Sequence, residues 1–97
     1  MRTYCYVLKR VRSTFPQDAT PEELAIVGEH WERLLRLHAE GTLSHAGRTE
    51  SLDFALAIFT AESDEAADAL VRGDPCVREG LMTAELHPYQ VLLPQER

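Results

Sequence analysis

Residues 52–61, LDFALAIFTA, limit what this chain can fold into more than any other stretch. Read at period two, Phe54, Leu56 and Ile58 take one side, and Ala55, Ala57 and Phe59 take the other. A strand apolar on both faces is central in its sheet and needs cover on both. The rest of the 97 residues holds two substantial helical patterns, enough for one layer on one face. The other face then has to meet another subunit. Small domains gain from such association because they bury a modest core.

The remaining elements follow in order. Residues 3–11, TYCYVLKRV, alternate as a strand, with Tyr4, Tyr6 and Leu8 opposite Cys5 and Val7. Residues 12–19 are a loop broken by Pro16. Thr20 is the N-cap of a long helix, Pro21 takes its first position and Glu23 closes a capping box. Leu24, Val27, Gly28, Trp31, Leu34, Leu35 and His38 recur at helical spacing and predict its buried stripe. Gly28 costs about 1 kcal/mol against Ala in a helix, which predicts a close approach there. The helix runs to Ala39 or Glu40, and Gly41 is a left-handed stop.

Residues 42–47 form a short strand and 48–51 a polar turn. Ser63 caps a second helix that Gly73 ends. Asp74-Pro75 opens a single turn stopping at Gly80, and 81–93 form the last strand, with Pro88 at an edge or bulge. The end from Pro94 to Arg97 is expected to fray. The order β-α-β-β-α-β predicts one ferredoxin-like α+β domain over residues 1–97, a four-stranded antiparallel sheet with both helices on one face. The bare face, that of Ala55, Ala57 and Phe59 or its opposite, is the expected homodimer seam.

Sixteen acidic against ten basic side chains give a net charge of −6. Such a chain repels phosphate backbones and anionic lipid, so neither nucleic acid nor a membrane is an expected partner. No signal-peptide pattern follows Met1, and Cys5 and Cys76 read as small buried thiols of a reduced, cytoplasmic protein. No P-loop, dinucleotide fingerprint or G-x-S-x-G occurs. The spacing of His30, His38, His45 and His87 fits no compact ligand set, so neither a cofactor nor a metal is expected.

Residues 29–47, EHWERLLRLHAEGTLSHAG, carry the first markers of a resemblance: His30 in the helix, the Glu40-Gly41 stop, and Ala46-Gly47 after the short strand. Asp74-Pro75 followed by Gly80-Leu81, and His87-Pro88 in the last strand, complete the pattern. With these in this order, the chain resembles the YciI-like family (the YCII-related domain) of the dimeric α+β barrel group over nearly its whole length. The resemblance implies a dimer with a pocket between helix and sheet, and a catalytic pair that falls on His30 and Asp74. It also implies chemistry on small ring compounds, as in dehydrochlorinases or muconolactone isomerase. Two positions depart from the pattern: Val27 stands where an Arg is usual, and Arg48 where a Pro follows Ala-Gly.

A histidine held by a carboxylate serves as a general acid or base near neutral pH. His30 and Asp74 are accordingly the expected proton-transfer pair of a cofactor-free isomerase or lyase, with Arg48, Trp31 and Tyr6 expected around a small cyclic or aromatic substrate. The plainer readings stand beside these. His30 also reads as a partly exposed helix residue, Asp74-Pro75 as a plain helix cap, and the aromatics as core packing. On those readings the protein is a non-catalytic dimeric module that binds a small molecule or another protein.

Overall fold

The computed structural model describes residues 1–95; Glu96 and Arg97, the end of the expected frayed tail, lie outside the described residues. The elements are β1 (Arg2–Arg10), α1 (Pro21–Ala39), β2 (Leu43–Arg48), β3 (Ala55–Ala61), α2 (Asp64–Arg72), a single turn α3 (Pro75–Arg78) and β4 (Met82–Pro88). The strands form one antiparallel sheet in the order β2-β3-β1-β4, the ferredoxin-like arrangement.

Register explains the core. Tyr4 lies opposite Phe59, Tyr6 opposite Ala57 and Leu8 opposite Ala55, so these residues share one face. Leu34 of α1 and Ala67 and Val71 of α2 pack on that face. The Phe59 ring stacks on Tyr4 at 5.7 Å and meets Tyr6 edge-on at 5.6 Å. The face of Ala55, Ala57 and Phe59 is therefore the covered one. That face is unavailable as a seam, and the bare face is the opposite one, where Val7, Leu56 and Ile58 are half-buried beside Cys5.

The β1–α1 loop is pinned to the helix start. Thr20 and Glu23 exchange both capping-box bonds, and Arg12 grips the Glu23 carboxylate with two bonds of 2.9 and 2.8 Å. The expected buried stripe of α1 is only partly buried. Leu34 is buried, but Leu24, Trp31 and Leu35 are each more than half exposed. The periodic set ran across two adjacent faces, an inner one with Val27 and Leu34 and an outer one with Leu24, Gly28, Trp31 and Leu35. Gly28 belongs to the outer face, and a methyl group there meets nothing within 4 Å, so no close approach explains it. His38 is exposed in the last turn, with Nδ1 2.9 Å from the Leu43 carbonyl.

Two strands are shorter than their apolar runs. β3 starts at Ala55 because the Thr49 hydroxyl accepts from the Asp53 amide at 2.9 Å and closes residues 49–54 into a tight loop. Leu52 sits in that loop at φ 67°, a left-handed conformation that costs a non-glycine residue about 1 kcal/mol. β4 ends at Pro88, which has no N–H to continue the ladder.

Gly73 ends α2 as expected, but not by left-handed geometry, since its φ is −78°. A methyl group there stands 3.0 Å from Arg33 Nη2, which donates to the Leu70 carbonyl at 2.8 Å. The glycine makes room for a guanidinium. Gly73→Ala is expected to displace Arg33 and lower stability by about 1 kcal/mol, or roughly 5 °C in melting temperature for a chain this size. An unchanged melting curve would show that Arg33 moves freely.

Candidate functional site

Asp74 sits where α2 gives way to α3. It is the N-cap of that turn, accepting from the Cys76 amide at 2.9 Å through Oδ1, with Pro75 at the first position. This local duty fixes the carboxylate, which is fully buried. His30 comes from the inner face of α1, and its Nδ1 lies 2.9 and 2.8 Å from the two carboxylate oxygens. The Tyr6 hydroxyl donates to Oδ2 at 3.3 Å from the centre of the sheet. Three elements thus converge on one carboxylate.

Electrostatics follow from that convergence. Burial alone would raise the Asp74 pKa, but the His30 hydrogen bond and charge, the Cys76 amide and the Arg33 charge outweigh it and hold the carboxyl below its ordinary range. The Tyr6 hydroxyl is pushed up, first by burial and then by the Asp74 charge. Burial, with Asp74 beside it, pushes the Cys76 thiol up to about 12 and keeps it protonated. A carboxylate only accepts, so His30 Nδ1 carries the proton and Nε2 is left as the acceptor.

His30, Asp74 and Cys76 present ligand atoms within 4.8 Å of one another, a spacing that could gather a metal ion. In this structure the carboxylate is already engaged, accepting from His30, Tyr6 and the Cys76 amide.

His30 also lines a cavity of about 500 Å³ between α1, the sheet and the loops at residues 15–16 and 52–54. Its walls are mostly apolar, with Leu8, Phe15, Val27, Leu34, Phe54 and Met82 among them. Trp31 and Arg48 border it. Tyr6 borders it too but has no exposed surface, so its hydroxyl serves Asp74. His45 and His87 are exposed strand residues that do not line it.

Sequence reasoning missed two cations. Arg33 follows His30 by three residues, which puts it on the same side of α1, and it brings a positive charge near Asp74 although position 27 is Val. Arg10 continues the alternation of Tyr4, Tyr6 and Leu8 to the end of β1, and it too lines the cavity.

Against known proteins, the YCII-related domain matches residues 1–87. The chain belongs to the YCII-related domain family. The solved structure of a muconolactone isomerase is similar to this YCII-related chain at a TM-score of 0.74 and 18% identity, covering 98% of this chain and 96% of the other. A 5-chloro-2-hydroxyhydroquinone dehydrochlorinase from Burkholderia phenoliruptrix, solved with 2,5-dihydroxybenzoquinone, is similar at a TM-score of 0.56 and 16% identity, covering 90% and 93%. These likenesses show that the YCII-related chain shares the α+β fold of those two proteins. No curated protein matches it in sequence. Among its described residues, no helix is long and apolar enough to cross a membrane.

Proposed function

We propose that this YCII-related protein is a cofactor-free enzyme of isomerase or lyase type, dehydrochlorination included, in which His30 moves a proton on a small cyclic or aromatic compound. The observation that carries this reading is the contact of His30 Nδ1 with buried Asp74, made by a residue that also walls an apolar cavity. Asp74 fixes the tautomer and stabilises the imidazolium that forms when Nε2 takes a proton. Isomerisation and elimination need little more than such a base in a closed apolar site. The two similar structures are enzymes named for ring compounds, which agrees with the reading. Trp31 is 57% exposed and so does not fill the cavity, which speaks against a module whose pocket is occupied by its own side chains.

The test is proton exchange. Unsaturated lactones and chlorinated hydroquinones are incubated with protein in D₂O, and loss of ring C–H signal is followed by proton NMR. The wild type is expected to speed exchange on members of one class, and His30→Ala to lose that effect. Equal exchange by both proteins sinks the reading.

We further propose that the bare sheet face of Val7, Leu56 and Ile58 pairs with the same face of a second copy. Ile58→Asp puts an unpaired charge into that seam and is expected to give a monomer by light scattering where the wild type gives a dimer. A wild type that is already monomeric at micromolar concentration rules the pairing out.

A further inference from the structure

The charges around the cavity run against those of the chain. The protein carries sixteen acidic and ten basic side chains, yet the titratable residues lining the cavity, besides the buried Tyr6, are Arg10, His30 and Arg48. Among the described residues, no carboxylate lines it. Elsewhere in the described chain Arg2, Arg12, Arg72 and Arg78 each pair with an acidic side chain, while Lys9, Arg33 and Arg36 have no such partner but do not line the cavity. Among the described residues, Arg10 and Arg48 pair with none. Arg10 donates through Nη1 to the Phe15 carbonyl at 2.9 Å, and Arg48 makes only a long 3.4 Å bond to the Thr49 carbonyl. Each guanidinium has five donors, so most of them remain unused.

Strand register puts these two cations at one end of the cavity. Arg48 lies opposite Ala55, and Ala55 lies opposite Leu8. Arg10 follows two residues later on the same side of β1. Arg10 and Arg48 therefore rise from the helix-covered face two strands apart and two residues out of step, about 12 Å between their Cα atoms at ordinary strand geometry. His30 meets Asp74 where the Tyr6 hydroxyl also reaches it, and Tyr6 stands two residues before Leu8 and four before Arg10 on β1. Two to four residues of strand span about 7–13 Å, room for a six-membered ring.

We propose that the cavity takes a ring compound bearing an anionic group such as a carboxylate, held at the Arg10–Arg48 end with the ring reaching toward His30. This inference rests on the proposed function for its orientation but not for its binding chemistry. Guanidinium forks match a carboxylate, and partial desolvation by the apolar walls strengthens the contact. The net negative charge of the protein makes an anionic ligand the unexpected choice, and the two unpaired arginines are what overrule it.

The probe is phenylacetate, compared with neutral phenylacetamide, and the readout is the indole N–H signal of Trp31. Trp31 is the one tryptophan of the chain and borders the cavity, so the signal needs no assignment. Phenylacetate is expected to bind about tenfold more tightly than the amide, as for a hydrogen bond to a charged group. Arg48→Gln is expected to bring the two close to equal, and added salt to narrow the gap in the wild type. Arg48 is exposed and unpaired, so this variant is expected to fold normally. Arg10→Gln is the second arm. Titrating His30→Ala separates the two readings: there the acid preference is expected to persist although proton transfer is gone. Equal affinity for acid and amide, an unchanged preference in Arg48→Gln, or no shift of the indole signal at millimolar probe overturns the proposal.

Discussion

An Asp74→Ala protein is expected to melt roughly 15 °C below the wild type. The side chain caps α3, and loss of an N-cap costs about 1 kcal/mol. Its removal also leaves the His30 Nδ1–H and the Tyr6 hydroxyl without partners in the interior, at about 1 kcal/mol or more each. The sum is about 3 kcal/mol, and each kcal/mol moves the melting temperature of a domain this size by about 5 °C. Asp74→Asn keeps the cap and an acceptor oxygen and is expected to lose about half as much. The two variants also differ from the wild type in acid. The Asp74 carboxyl titrates below its ordinary value of 3.8 in the folded protein. The unfolded chain therefore binds that proton more readily, so the carboxylate's contribution is complete above 3.8 and disappears as pH falls through the lower folded value. Thermal unfolding followed by circular dichroism from neutral pH down to that window is expected to show this part of the acid dependence in the wild type and not in Asp74→Asn. An Asp74→Ala protein that melts within a few degrees of wild type would mean that the carboxylate holds nothing together.

His30→Ala is expected to lower turnover of a confirmed substrate by about 10²–10⁴-fold, the usual worth of a placed general acid or base. The loss should fall on kcat rather than on KM, because the imidazole acts on a proton in flight and contributes little to ground-state binding. Asp74→Asn should lose less. An amide carbonyl can still accept from Nδ1 and preserve the tautomer, but it no longer balances the imidazolium charge. His30→Ala leaves Asp74 its bonds from the Cys76 amide and Tyr6, so the protein should remain folded while activity falls. A His30→Ala variant that retains full turnover removes the proton-transfer mechanism.

Much of this architecture was legible because local and long-range signals agreed. Thr20, Pro21 and Glu23 announce the first helix, and both capping bonds form. The alternation of Tyr4, Tyr6 and Leu8 marks the covered side of β1. The approach of His30 to Asp74, 44 residues apart, followed from the resemblance rather than from any periodicity. What was not legible depends on neighbours. The stripe of α1 looked continuous because periodicity cannot separate two adjacent helix faces. Gly73 reads as the end of the second helix, and it is; its small size also serves Arg33, a contact invisible in sequence. Leu52 and Phe54 looked like strand because the run is apolar, but the Thr49 hydroxyl folds them into the loop beside the cavity.

The double duty of Asp74 bears on how chains of this kind change over generations. One carboxylate ends a helical turn and contacts a histidine, so a descendant without the proposed chemistry would still be under pressure to keep the aspartate. The histidine's scaffold duty is narrower, one hydrogen bond that offsets the burial of that carboxylate, so it would be freer to drift. Among relatives, an aspartate here therefore reports on inheritance of the fold, while the residue that stands at position 30 is the better witness to whether the chemistry survived.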